Sequence, residues 1–256
     1  MRIPFDCAAE FYDRTRGLPE YAMKQLVAVF INELKEYESI LDVGVGTGRF
    51  AKPLQDGGLQ VVGVDIAKGM LEKAAEKDVK NLLMCDACSL PFKDSAFDAS
   101  ICIHVLHLIS NWQIALKEIC RVTREIMLSI AYTTKNPVRQ AYNQILESYG
   151  YKQHRLGKGE WELKEIVKPV KSVFAVTFDN NADELIDHLS KRAYSSQWEI
   201  PEDINNKAIN KLMEQFGGKT FPAEIQVLAW QIDDLKAYLA TQKVDLKCHG
   251  NRQHEK

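Results

Sequence analysis

Three short apolar runs early in the chain each end on an aspartate: Ile40-Leu41-Asp42, Val61-Val62-Gly63-Val64-Asp65 and Leu82-Leu83-Met84-Cys85-Asp86. The segments between them can form helices, and strands that alternate with helices fold into a parallel sheet covered on its faces. Open sheets of this kind bind ligands at the carboxyl ends of their strands. Three carboxylates are therefore expected along one ligand-binding edge. The first run continues as Val43-Gly44-Val45-Gly46-Thr47-Gly48-Arg49-Phe50. Glycines at 44, 46 and 48 let the backbone take positive φ and come close to a ligand, and the following helix offers unpaired N–H groups. Such a turn suits a nucleotide-like ligand. Its spacing, Gly-x-Gly-x-Gly, differs from the Gly-x-Gly-x-x-Gly of a dinucleotide site, which also needs only one ribose-binding acid.

Periodicity supplies the other elements. Tyr21, Leu26, Val29, Phe30 and Leu34 predict a helix over 20–36. Helices follow over Arg49–Asp56 and Ala67–Lys77, a fourth strand over Phe97–Ile103, a helix over Trp112–Val122 and a fifth strand over Glu125–Ala131. Beyond these, Val138–Tyr149 and Glu160–Val167 read as helices. A sixth strand over Val170–Phe178 has period-two positions at Val170, Ser172, Phe174, Val176 and Phe178. A helical pair, Ala182–Tyr194 and Glu202–Phe216, precedes a seventh strand over Glu224–Ile232.

With 256 residues, 46% of them hydrophobic, the chain can bury one sizeable core with a smaller appendage. A net charge of −2 provides no basic field to neutralise phosphates, which argues against a nucleic-acid partner. The denser charge around Lys152–Lys171 is interleaved with Glu160, Glu162 and Glu165 and reads as a solvated face. No apolar stretch of membrane length occurs, and Met1-Arg2-Ile3-Pro4-Phe5-Asp6 lacks the core of a secretory signal, so a cytoplasmic protein with no membrane partner is expected. Cys85 and Cys88 form a lone Cys-x-x-Cys without a second pair or a His cluster, so no metal is expected. Cys102 and Cys120 fall on apolar positions and read as core residues.

Four segments resemble the motifs of class I S-adenosylmethionine-dependent methyltransferases of the small-molecule type. They are Leu41-Asp42-Val43-Gly44-Val45-Gly46-Thr47-Gly48, Val64-Asp65-Ile66-Ala67-Lys68-Gly69-Met70-Leu71, Asp86-Ala87-Cys88-Ser89-Leu90-Pro91-Phe92 and Phe97 to His107. The resemblance implies an α/β, Rossmann-like, seven-stranded and mostly parallel sheet with helices on both faces and a helical cap. It implies S-adenosylmethionine as the cofactor. Asp65 would take the ribose hydroxyls, Asp86 the adenine amine, Ile66 and Met70 the faces of the adenine, and Gly44, Gly46 and Gly48 the methionine moiety, with Ala87 a further cofactor contact. Carboxylates are pure acceptors and methionine fits against a flat ring, so these roles are chemically sound. Asp42 would order the turn or receive the ligand's ammonium through water. Phe11-Tyr12-Asp13-Arg14-Thr15-Arg16 resembles the family's lead-in, in which Tyr12 and Arg16 would reach the cofactor carboxylate.

The family's sixth and seventh strands form an antiparallel hairpin, so the residues between them here read as an insertion. The chain is parsed as lead-in helices over 1–36, a cofactor-binding core over 37–134, the end of the sheet over 135–240 with a cap insertion near 179–222, and a polar tail over 241–256. The insertion, the lead-in and the helices after the fifth strand would cover the acceptor. Methyl transfer needs that cover, because the protein must hold the acceptor at attack distance and exclude water. Arg192, Tyr194 and Trp198, with His154 and Trp161, could line the acceptor pocket or simply pack. His104 is expected to make a backbone contact to the methionine moiety. His107 is the candidate base, against a packing or helix-cap role.

The resulting expectation is methyl transfer to a small molecule by a monomer or homodimer. The alternatives are a non-catalytic cofactor-binding protein, a nucleic-acid methyltransferase and a nicotinamide-dependent reductase. The third acid and the glycine spacing disfavour the reductase. The absence of an Asn/Asp-Pro-Pro-Tyr motif at Ile103-His104-Val105-Leu106 disfavours nucleic acid.

Overall fold

The computed structural model describes residues 5–16, 18–152 and 157–242. In chain order its elements are α1 (Phe5–Arg16), α2 (Glu20–Leu34), β1 (Ile40–Val43), α3 (Ala51–Asp56), β2 (Val61–Asp65), α4 (Lys68–Glu76), β3 (Leu82–Met84) and β4 (Phe97–Cys102). Next come α5 (Trp112–Val122), β5 (Thr123–Tyr132), α6 (Pro137–Ser148), α7 (Glu160–Leu163), β6 (Lys171–Asn181), α8 (Ala182–Ser190), α9 (Glu202–Phe216), β7 (Thr220–Gln231) and α10 (Ile232–Thr241).

The seven strands form one sheet in the order β3-β2-β1-β4-β5-β7-β6. β1 to β5 pair in parallel, and β7 runs antiparallel between β5 and β6. Strand alternation sends Ile40, Val61, Ile101 and Leu128 to one face, where Leu26, Phe30 and Leu34 of α2, Leu54 of α3 and Ala74 of α4 close the core. It sends Leu41, Val64, Cys102 and Met127 to the other face, beneath Leu116 and Ile119 of α5, Leu163 of α7 and Leu235 of α10. The Rossmann-like α/β sheet with helices on both faces is thus the observed architecture. All five parallel strands point their carboxyl ends to one edge, with Asp42, Asp65 and Asp86 at the ends of adjacent strands or just beyond them.

A third core lies off the sheet. Tyr142 and Leu146 of α6, Ile186 and Leu189 of α8, and Leu212 and Phe216 of α9 pack together with Tyr194 and Ile200. Its buried polar groups answer one another. Tyr142 Oη donates to Asn205 Oδ1 at 2.6 Å, and Gln197 Nε2 donates to Tyr142 Oη at 2.9 Å and to the Leu189 carbonyl at 2.8 Å. Such a network is stable only when every member is satisfied.

Several local expectations are corrected. Period-two reading of the sixth strand puts Val170, Ser172 and Phe174 on the buried face, but Val170 and Phe174 are more than half exposed. The register against β7 slips between Phe174 and Val176, so Ala175 is an extra residue that reverses the alternation. Val176 and Phe178 then face inward as expected. Tyr21 likewise lies on the exposed side of α2, whose buried stripe starts at Ala22. The helix expected over Glu160–Val167 is only the single turn α7, and α10 follows the last strand where no helix is expected. His154 and the tail from 243 on lie outside the described residues.

Candidate active site

The turn after β1 is built as its glycines require. Gly44, Gly46 and Gly48 have φ of 73°, 56° and 73°, a region open to glycine and strained for other residues. The N–H groups of Gly44 and Val45 both donate to the Val64 carbonyl, at 2.8 and 2.9 Å, which fastens the turn to β2. At Gly44 a Cβ would sit 2.3 Å from Val105 Cγ2. At Gly46 it would meet nothing closer than 3.9 Å, so this glycine faces open space where a ligand can approach. Gly44→Ala is expected to cost roughly 1–3 kcal/mol of stability, from overpacking against Val105 together with the positive φ. A urea midpoint unchanged from wild type would contradict that.

Asp65, half-buried at the end of β2, binds the turn directly. Its Oδ2 accepts from the Gly46 N–H at 2.9 Å and its Oδ1 from the Ala67 N–H at 2.9 Å. A carboxylate is a pure acceptor with about four lone-pair sites, the chemistry that hydroxyl protons require. Asp86 is exposed, and its Oδ1 accepts from the Cys88 N–H at 2.9 Å, closing its own turn. The Cys85 N–H donates to the Asp65 carbonyl at 3.0 Å, which sets the two acid-bearing strand ends side by side. Burial, with Asp86 and Asp65 nearby, pushes the Cys85 thiol up to about 11, so it is no nucleophile at neutral pH. Asp42 is only 4% exposed. Burial and the neighbouring Asp65 push its carboxyl up to about 7.

Around these groups the structure separates the expected ligand contacts. Ile66 is 47% exposed, a free apolar surface beside Asp65. Met70 is instead buried, packed with Ala67 and Ala9 of α1 while Tyr12 and Trp198 press against it. The expected Met70 contact with an adenine would therefore need α1 or the cap segment to shift. Arg16 ends α1, and its side chain lies outside the description. The Arg192 guanidinium is engaged within the cap: its Nη2 donates to the carbonyls of Gln197, Trp198 and Ile200 at 3.0, 2.8 and 2.7 Å. Tyr194 is buried, with the Arg139 guanidinium 3.9 Å from its ring centre. Both hold the cap together. Of the expected pocket trio, Trp198 alone touches the cofactor side.

His104 and His107 follow β4 and share an aromatic cluster with Trp161. The ring centres lie 5.1 Å apart for His107 and Trp161, 5.7 Å for His104 and Trp161, and 6.4 Å for the two histidines. His104 has φ 60°, a left-handed conformation that a non-glycine residue holds only where its surroundings impose it.

Two residues of this region escape the sequence reading. Asp13, next to Tyr12, accepts from Thr47 Oγ1 at 2.5 Å. It also pairs with Lys77, whose Nζ donates in turn to the Thr47 carbonyl at 2.8 Å. This knot ties α1 to the glycine turn, and its signal was its place inside the lead-in motif. Glu160, expected on a solvated face, has no exposed surface at all. Its Oε1 accepts from the Val105 N–H at 2.6 Å, the Leu106 N–H at 2.9 Å and Cys102 Sγ at 3.4 Å. Burial raises its carboxyl above the ordinary range. The available signal was Gly157-Lys158-Gly159 just before it: a Cβ on Gly157 would fall 2.3 Å from the Ile109 carbonyl, so this segment must run tight against the loop after β4.

A shallow cleft of about 430 Å³ opens beside the turn, lined in part by Asp13, Met23, Gly48, Arg49 and Lys77. Asp65, Asp86 and the histidines do not line it.

Comparison with known proteins places this geometry. Residues 41–126 match the family model described as a methyltransferase domain. A demethylmenaquinone methyltransferase of Renibacterium salmoninarum is 34% identical over 115 residues, covering 43% of this chain and 48% of that protein. The chain thus spans about half the length of this relative. Among solved structures, magnesium protoporphyrin IX methyltransferase from Synechocystis, determined with bound S-adenosylhomocysteine, superposes with a TM-score of 0.54 at 13% identity, covering 90% of this chain and 97% of that one. The [4+2]-cyclase SpnF superposes with a TM-score of 0.52 at 17% identity, covering 89% and 93%. Those two likenesses concern the fold.

Proposed function

We propose that this chain, which carries a methyltransferase domain over residues 41–126, is an S-adenosylmethionine-dependent methyltransferase that acts on a small molecule. One observation carries the reading: the Asp65 carboxylate lies against the Gly46 amide, so a ribose-type acceptor and an open glycine bed form a single surface. The acids beside the turn fit a cationic sulfonium donor and repel a pyrophosphate. Bound there, the cofactor would supply an electrophilic methyl group.

The residues divide the remaining work. Asp65 receives the ribose hydroxyls, Asp86 receives the adenine amine with Ala87 beside it as a cofactor contact, and Ile66 covers one adenine face. Tyr12 and Arg16 hold the carboxylate end, and Asp42 steadies the turn or takes the ammonium through water. His104 borders the methionine moiety. His107, packed at a tilt against Trp161, is the candidate to remove a proton from the acceptor. Trp198 and α1 close over the cofactor side and exclude water, which matters because the reaction asks mainly for alignment and desolvation.

No described helix is long and apolar enough to cross a membrane. We place the reaction in the cytoplasm, in a monomer or homodimer, where Cys85, Cys88, Cys102 and Cys120 stay thiols. Fold alone does not choose the chemistry, since a [4+2]-cyclase shares it. Incubation of the protein with methyl-labelled donor and metabolite extracts is expected to move label into a small-molecule fraction, and Asp65→Ala to abolish most of that transfer. Quinone-type rings enter the screen first, because the relatives carry that name. Cofactor binding without any transfer would instead assign a non-catalytic binding protein.

A further inference from the structure

Glu160 carries an inference that rests on the proposed cofactor site but concerns a residue outside its motifs. It is fully buried, and its Oε2 has no hydrogen-bond partner among the described residues. Its three contacts with the segment Cys102 to Leu106 all go through Oε1. Cys102, which that oxygen contacts, is the last residue of β4, and Val105 and Leu106, whose amides it accepts, lie just beyond. One oxygen therefore grips both ends of a short loop whose middle residue, His104, is held at positive φ.

The grip is passed on. Val105, fixed through its amide, sets its side chain against Gly44, so closely that a Cβ there would overlap Val105 Cγ2 at 2.3 Å. Gly44 is the first glycine of the cofactor turn. Trp161, the next residue along α7, packs on His104 and His107. From these contacts we infer that Glu160 is a positioning residue: it locks the loop after β4 so that Val105 backs the glycine turn and the two histidines stand at the acceptor side.

A single accepting oxygen suffices for this role, because nothing among the described residues engages the second. Glu160→Gln keeps a carbonyl acceptor at that point while losing the charge and putting an NH₂ donor in place of Oε2, whereas Glu160→Ala leaves the Val105 and Leu106 amides without their acceptor. Binding of S-adenosylhomocysteine, measured by calorimetry at a temperature where circular dichroism shows each variant folded, separates the outcomes. Glu160→Gln is expected to bind within about threefold of wild type, and Glu160→Ala to bind at least tenfold more weakly. Val105→Ala is expected to reproduce much of that loss, and the double variant to fall short of the sum of the two, as coupled sites do.

A folded Glu160→Ala protein that binds as tightly as wild type would overturn the inference. So would equal losses in the Gln and Ala variants, which would assign the effect to charge. If Glu160→Ala does not fold, Val105→Ala bears the test, and unchanged affinity there overturns the proposal. Failure of wild type itself to bind would remove the cofactor reading together with this inference, whereas wild-type binding with indifferent variants would remove the inference alone.

Discussion

Asp65→Ala is expected to weaken binding of S-adenosylmethionine or its demethylated product by roughly 1.5–3 kcal/mol, about ten- to a hundredfold or more. A carboxylate that receives two hydroxyl protons makes charge-assisted bonds, which stand at the strong end of the range. The structure adds a second loss. The same carboxylate accepts from the Gly46 and Ala67 amides, so its removal also frees the turn that must receive the methionine moiety. The upper part of the range is therefore expected. Asp65→Asn should fall between, because its one carbonyl oxygen can serve only one of the two amides and its NH₂ must face the other. Calorimetry checks both variants, and a loss below about threefold for Asp65→Ala would contradict the ribose assignment.

Asp42→Asn is expected to raise stability at alkaline pH while weakening cofactor binding. Burial and the neighbouring Asp65 push Asp42 up to about 7, from an ordinary value of 3.8. The folded protein thus holds this proton more tightly than the unfolded chain. Its stabilising effect is complete below the ordinary carboxylate value and is lost as pH rises toward about 7, beyond which the cost is constant. Three pKa units at about 1.4 kcal/mol each set a ceiling near ~4 kcal/mol. Asparagine removes the charge and with it the pH dependence. Urea unfolding should show the variant gaining on wild type between about pH 4 and pH 7 and holding that gain above it. An advantage that does not change with pH would contradict the assignment. Such a burden on the fold makes sense where a buried acid serves a ligand, the usual exchange of stability for function.

The part of this architecture legible in the sequence is the part built by local rules. Apolar runs ending on acids, with helices between them, specify a parallel sheet almost by themselves. The gathering of Asp42, Asp65 and Asp86 at one edge follows from that pattern, whereas the order β3-β2-β1-β4-β5 is seen only in the fold. What stayed hidden depends on neighbours distant in the chain. The extra residue at Ala175 shows only against the register of β7, because a bulge leaves no mark in a single strand's alternation. Met70 has the composition of an adenine contact, yet Ala9, Tyr12 and Trp198 reach it from α1 and the cap. Arg192 reads as a side chain that could line the acceptor pocket, but three carbonyls a few residues away use its guanidinium.

Glu160 is the clearest case. Surrounded by lysines and glutamates, it has the composition of a solvated face, and charged side chains are rarely fully buried unless they are paired. Its burial follows from the tight approach of Gly157 to the loop after β4, which carries the next residues into the interior. The glycine was visible. Its neighbour, fifty residues upstream, was not.

The account stands on Asp65 and Asp86 meeting one adenosine at the ends of adjacent strands. A crystal structure with S-adenosylhomocysteine tests this most directly. The ribose hydroxyls should lie within hydrogen-bonding distance, roughly 2.5–3.0 Å, of the Asp65 carboxylate. The adenine amine should lie at Asp86, with the amino-acid tail along Gly44 to Gly48. A ligand seated elsewhere, or a saturated crystal in which Asp65 binds only the Gly46 and Ala67 amides, would contradict it.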